Sequence, residues 1–190
     1  MEKTTLYIKN MVCNRCIKVV NEEFAKLGLN VIAIELGKVE IEGKIDLDLT
    51  IKIKEILKQN EFALIEDKKN YIIDRIKTFI IEIIHHGKYI PEQYNFSANI
   101  SSALNYDYSY LSNLFSTNEG ITIEKYIINQ KIERAKELIK YNELTLSEIS
   151  FQLGYCSAQY FTNQFKKITK QTPSDYKNSS ITNRKSLDLV

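Results

Sequence analysis

Residues 144–177 read LTLSEISFQLGYCSAQYFTNQFKKITKQTPSDYK. Leu146, Ile149 and Leu153 recur at helical spacing, Gly154 interrupts, and Phe161, Phe165 and Ile168 resume the same period. The pattern predicts two short helices meeting across a glycine-containing turn, a helix-turn-helix. Its second helix buries the phenylalanine face and leaves Ala158, Gln159, Thr162, Asn163 and Lys166 outward, a polar set able to reach base edges and phosphates. Spacing alone is equally compatible with an ordinary pair of antiparallel helices.

A second copy precedes this one by about fifty residues. Ile100 and Leu104 correspond to Ile149 and Leu153, Asn105-Tyr106 to Gly154-Tyr155, and Leu111, Leu114 and Phe115 form the apolar face of a helix that Gly120 ends. Between the copies, Ile123 to Lys140 is helical in period, with Tyr126, Ile127, Ile132, Ala135, Leu138 and Ile139 apolar. Eighteen residues at about 1.5 Å each span roughly 27 Å, of the order of the ~34 Å between successive major-groove faces. The first copy is the weaker match: Ser97 stands where the second has Leu146, and the helix from Tyr108 to Asn118 contains no Lys or Arg.

The run from Leu153 to Lys167, followed by Thr172, Pro173, Ser174, Asp175, Tyr176 and Lys177, resembles the C-terminal signature of AraC/XylS-type transcription regulators. Lys170-Gln171 stands where that family usually has a glycine, and Lys177 replaces the usual arginine. The resemblance covers about residues 71–178 and implies a sequence-specific DNA-binding regulator that engages one face of the double helix with two readers, with RNA polymerase as a further partner. It places Ser109, Ser112 and Asn113 of the first copy, and Gln159, Thr162 and Asn163 of the second, towards the groove, and leaves phosphate contact largely to Lys166 and Lys167. Asn and Gln pair bidentately with adenine, so an A/T-rich site is expected.

The bulk numbers exclude several classes. Hydrophobic residues make up 44% and charged residues 26%, an ordinary globular composition. No apolar run approaches the ~18 residues of a membrane span, and MEKTTLYIKN is not a signal peptide, so no membrane role and a cytoplasmic location are expected. A net charge of +2 lends no bulk electrostatic support to DNA binding, which must come from locally arranged groups.

The first part of the chain reads differently. Thr4 to Lys9 is strand-like, Cys16 to Leu27 helical with Gly28 as a stop, Asn30 to Leu36 and Val39 to Ile41 alternate around Gly37-Lys38, Leu49 to Leu57 is helical, and Ala63 to Ile65 is a short strand. The order β-α-β-β-α-β is that of the ferredoxin-like split unit. Met11-Val12-Cys13-Asn14-Arg15-Cys16 falls in the first strand-to-helix loop, where two thiols at Cys-x-x-Cys spacing can face one soft ion such as Cu(I) or Zn. Three readings stay open: metal coordination by Cys13 and Cys16, a thiol-disulfide switch, and a relic site on a structural domain. Element order and motif placement resemble heavy-metal-associated domains of the copper-chaperone type over residues 3–67, although Asn10 and Val12 depart from that family's glycine and threonine. No histidine is placed to serve either thiol, so an enzyme is not expected. His85-His86 fit the end of a helix better than a metal site.

The domain plan is therefore an α+β ferredoxin-like domain at 1–67, a connecting helix at 68–88 capped by Asn70, an all-α double helix-turn-helix domain at 89–178, and a flexible tail at 179–190. In the leading reading the cysteine loop alters docking of the first domain on the connecting helix and so shifts DNA-competent protein. The alternative is a cytoplasmic Cu(I)-delivery protein with a helical docking module. Oligomeric state is not legible.

Overall fold

Alternation in the first sixty-five residues produces strands with one apolar face, and the helical stretches between them supply the cover. The computed structural model describes residues 2–65 and 67–179 and divides into two units, Met1–Phe79 and Ile80–Val190. The first unit runs β1 (Lys3–Lys9), α1 (Asn14–Lys26), β2 (Val31–Glu35), β3 (Lys38–Glu42), α2 (Leu47–Gln59) and β4 (Ala63–Ile65). The strands form one antiparallel sheet in the order β2-β3-β1-β4. Register opposes Leu6 to Val39, Thr4 to Ile41 and Ile8 to Leu64, so these residues share a face. On it Ile8, Val39 and Ile41 join Val20 and Phe24 of α1 and Ile53 and Leu57 of α2 in one core. The expected element order is present; α1 begins at Asn14, two residues before the expected Cys16, with Cys13 in extended cap geometry.

The next helix, α3 (Lys68–Ile81), starts before the expected cap. The Asp67 carboxylate, not Asn70, accepts from the Lys69 N–H at 3.0 Å. On the other sheet face the Tyr71 ring lies 4.0 Å from that of Tyr7, and Arg75 donates to the Leu36 carbonyl at 3.3 Å. The chain continues as a π-helical turn, Glu82–His86, closed by a Gly87 N–H donated to Glu82 O at 2.9 Å.

The second unit holds α4 (Phe96–Leu104), α5 (Tyr108–Glu119), α6 (Ile123–Tyr141), α7 (Leu146–Gln152), α8 (Ala158–Thr169) and α9 (Pro173–Asn178). Both helix-turn-helix pairs, α4-α5 and α7-α8, are present with α6 between them. Helix α6 gives Ile132, Ala135, Leu138 and Ile139 to a core completed by Ile149, Leu153, Tyr155, Phe161, Phe165 and Tyr176. Near its start Tyr126 meets Phe115 edge-on at 5.5 Å. Thr145 with Glu148, and Thr172 with Asp175, form reciprocal capping boxes at the starts of α7 and α9. Of the expected tail only Ser179 lies among the described residues, and its carbonyl accepts from Lys140 Nζ at 2.5 Å.

The turns obey the same backbone requirement with different residues. Gly154 has φ +69°, and Asn105 at the equivalent place has φ 57°. Lys170, where a glycine is usual, also takes the left-handed form, at φ 65°. Gly154 differs in needing space as well as freedom: a Cβ there would sit 2.9 Å from the Ile90 carbonyl oxygen and 3.1 Å from that of Pro91. Gly154→Ala is therefore expected to destabilise the second unit by about 1–3 kcal/mol from backbone strain, with crowding added, whereas Asn105→Gly leaves stability within about 1 kcal/mol; urea unfolding of the two variants checks the contrast.

Candidate nucleic-acid interface

Helix α8 is held by Phe161 and Phe165, both fully buried, so its opposite side must face outward. Ser157 caps its start by accepting the Tyr160 N–H at 3.1 Å, and the Tyr155 hydroxyl donates to Gln164 at 2.7 Å, tying the turn to the helix. Gln159, Asn163, Lys166 and Lys167 are exposed, while Ala158 and Thr162 are half-buried. Gln159 Nε2 donates to Asn163 Oδ1 at 3.1 Å, leaving the Gln159 carbonyl and the Asn163 amide available as an adjacent acceptor and donor. Tyr160, 53% exposed and about two turns along the same helical face from Lys167, is a further surface group that the sequence pattern did not single out.

Helix α5 presents a different surface. Leu111 and Phe115 are buried, Ser109 and Asn113 are exposed and Ser112 is half-buried. The Asp107 carboxylate caps the helix, accepting from the Ser109 N–H at 2.8 Å and from its hydroxyl. These bonds hold the Asp107 carboxyl below its usual range. Thr117 donates to Asn113 Oδ1 at 3.1 Å. Thus Ser109 and Asn113 on α5 and Gln159 and Asn163 on α8 lie at the surface, Ser112, Ala158 and Thr162 only partly so, and of the two helices only α8 carries lysines.

Cys13 and Cys16 lie in the first unit, their sulfurs 3.5 Å apart. Both are partly buried: burial is the largest influence on each and pushes the Cys16 thiol up, whereas at Cys13 burial is outweighed by hydrogen bonds from the Cys16 and Arg15 backbone and from the Cys16 thiol, which bring that thiol down. Two thiolates bound tetrahedrally at about 2.3 Å from one ion would stand ~3.7 Å apart, so the spacing fits a shared soft ion. Among the described residues no group of three or more His, Cys, Asp or Glu converges, so the fit is to two sulfurs only.

Residues 100–179 match a family described as a helix-turn-helix domain. The C-terminal domain of AraT, a response regulator from Geobacillus stearothermophilus, has the same fold, with a TM-score of 0.52 at 23% identity over 63% of this chain and 95% of that domain. The C-terminal unit contains a helix-turn-helix domain. The chain carrying this helix-turn-helix domain is 30% identical over 159 residues to the uncharacterized HTH-type transcriptional regulator YtdP of Bacillus subtilis, covering 78% of this chain and 20% of that protein. It is also 30% identical over 92 residues to the uncharacterized HTH-type transcriptional regulator YijO of Escherichia coli, 47% of this chain and 32% of that one. The chain thus spans at most about a third of the length of these curated relatives. No helix among the described residues is long and apolar enough to cross a membrane.

The second unit contains a polar core that spacing could not reveal. His85 Nε2 donates to Gln130 Oε1 at 2.8 Å, and Gln130 Nε2 donates to the Tyr126 hydroxyl at 2.9 Å. Burial, opposed by the bond to Gln130, pushes the His85 imidazole down to about 4. A lowered folded-state value means that the unfolded chain binds the extra proton first as pH falls. Stability is therefore full above pH ~6.5 and is lost as pH drops towards 4, by on the order of 2–3 kcal/mol. In denaturant unfolding across this window, His85→Gln is expected to flatten that slope.

Proposed function

We propose that this protein is a sequence-specific DNA-binding transcription regulator whose AraC-type domain reads the major groove through α8. The observation that carries this reading is the outward row Gln159, Asn163, Lys166 and Lys167 on a helix pinned by Phe161 and Phe165 within a helix-turn-helix. The two amides present hydrogen-bond groups suited to adenine, and the lysines neutralise phosphate. An A/T-rich site follows, each amide contact contributing about 1–3 kcal/mol of discrimination. The relatives' description as HTH-type transcriptional regulators supports a regulator over a metal-delivery protein with a helical docking module.

The first unit is read as a ferredoxin-like domain on the strength of its β-α-β-β-α-β order and its β2-β3-β1-β4 sheet. In this proposal Cys13 and Cys16 hold a soft metal ion or form a thiol switch that tunes DNA affinity. The ion would link the sulfur of Cys13, the cap of α1, to that of Cys16 in its first turn, and by linkage DNA would change metal affinity by the same factor.

Binding measured across salt concentrations tests the first part. Lys166→Gln/Lys167→Gln should make the slope of log K against log salt shallower by about 1.8, and selection from a random pool should return A/T-rich sites; recovery of G/C-rich sites would sink the amide assignment. For the second part, protein purified under reducing conditions should carry metal that the Cys13→Ser/Cys16→Ser variant lacks, and the two should differ in DNA affinity. Equal affinity removes the sensor and leaves the regulator.

A further inference from the structure

Charge is distributed unequally between the two helix-turn-helix pairs. Residues 89–124, which contain α4 and α5, hold four carboxylates (Glu92, Asp107, Glu119 and Glu124) and no lysine or arginine. Residues 144–179, which contain α7 and α8, hold four lysines against two carboxylates. A recognition helix enters the major groove with its N-terminal residues at the base edges, between two rows of phosphates. On α5 that end carries two negative groups. Asp107 is the cap itself, and Glu124 accepts from the Tyr108 hydroxyl at 2.5 Å. The backbone N–H and hydroxyl of Ser109 are given to Asp107, and the Asn113 carbonyl is given to Thr117. At the corresponding end of α8 the cap is the neutral Ser157, the first turn has no acidic residue, and Lys166 and Lys167 stand in the last turn.

We propose that α8 is the sole base-reading element, so that one chain occupies a single major-groove segment and α5 does not enter the next one. This rests on the reading of the C-terminal unit as a DNA-binding domain and gives that domain a site half as long as two readers would need. Carboxylates at the tip of α5 would meet phosphate at close range with no lysine or arginine on α4 or α5 to offset them, and repulsion there outweighs what Ser109 and Asn113 could return in hydrogen bonds. Long target sites are then filled by more than one chain, each placed by its own α8.

The experiment uses the full chain on DNA recovered by selection from a random pool. Hydroxyl-radical protection should cover one major-groove segment. Ser109→Ala/Asn113→Ala should change affinity less than twofold and leave the salt dependence unaltered, whereas Gln159→Ala/Asn163→Ala should weaken binding at least tenfold. Asp107→Ser keeps an N-cap hydroxyl, so α5 stays folded; combined with Asn113→Arg it should extend protection to a second groove segment one turn away. A tenfold loss from the Ser109/Asn113 pair, or two protected segments one turn apart with the unsubstituted chain, overturns the proposal while leaving DNA binding intact. Failure of the unsubstituted chain to enrich any DNA overturns the regulator reading itself, and this inference with it.

Discussion

The second unit depends on burying α6 from several sides at once. More than half of its nineteen residues are buried, and helices before and after it in the chain pack against it. A helix enclosed in this way cannot keep all its polar residues on one wet face, so some must be satisfied inside. Gln130 bridges His85 and Tyr126, and Lys136 pairs with Glu133 at 2.6 Å, both nearly fully buried. Lys131 takes another route, lying 5.1 Å from the centre of the Tyr155 ring and 5.7 Å from that of Phe96, with burial pushing its ammonium down to about 8. These polar anchors fix the rotation and register of α6 more narrowly than apolar packing alone would. The positions of α5 and α8 on the surface follow from that fixed core.

Much of this was legible because periodicity records which side of an element is dry. Phe161, Phe165 and Ile149 announced the second helix-turn-helix, and Leu111 and Phe115 the first, since each buried position recurs at helical spacing. The strands of the first unit were accessible for the same reason: Leu6 and Ile8, two apart, share the covered face. What stayed hidden involves residues whose chemistry is ambiguous in sequence. His85 sits beside His86 at a helix end and reads as a surface dipole partner, yet it is buried against Gln130, which lies 45 residues away. Asn70 reads as a cap, and the carboxylate of Asp67 takes that place. Long-range polar pairs have no period, so no pattern along the chain could have shown them.

For the candidate site, which residues reach the surface was legible and their internal bonding was not. Gln159 and Asn163 are one helical turn apart, which predicts a common face, but spacing does not show the mutual hydrogen bond that leaves one acceptor and one donor side by side. The left-handed turn residues show the complementary case. Lys170 and Asn105 adopt backbone angles usually left to glycine, while Gly154 alone is also crowded by the Ile90 and Pro91 carbonyls. Substitution tolerance in these turns is thus set by neighbours as well as by φ.

The wide turn at Glu82–His86 gives the chain a means of setting helical phase. Ile72, Ile76, Ile80 and Ile84 recur every four residues, and on an ideal α-helix each such step drifts by about 40° around the axis. A turn closed from residue to fifth neighbour holds one residue more and rotates less per residue, so it takes up part of that drift. Ile84 and His85 can then lie on the inward side together, where a uniform helix would carry one of them round towards water. Which edge of this segment meets α6 is therefore governed by a single surplus residue in the helical count, with no loop required to redirect the chain.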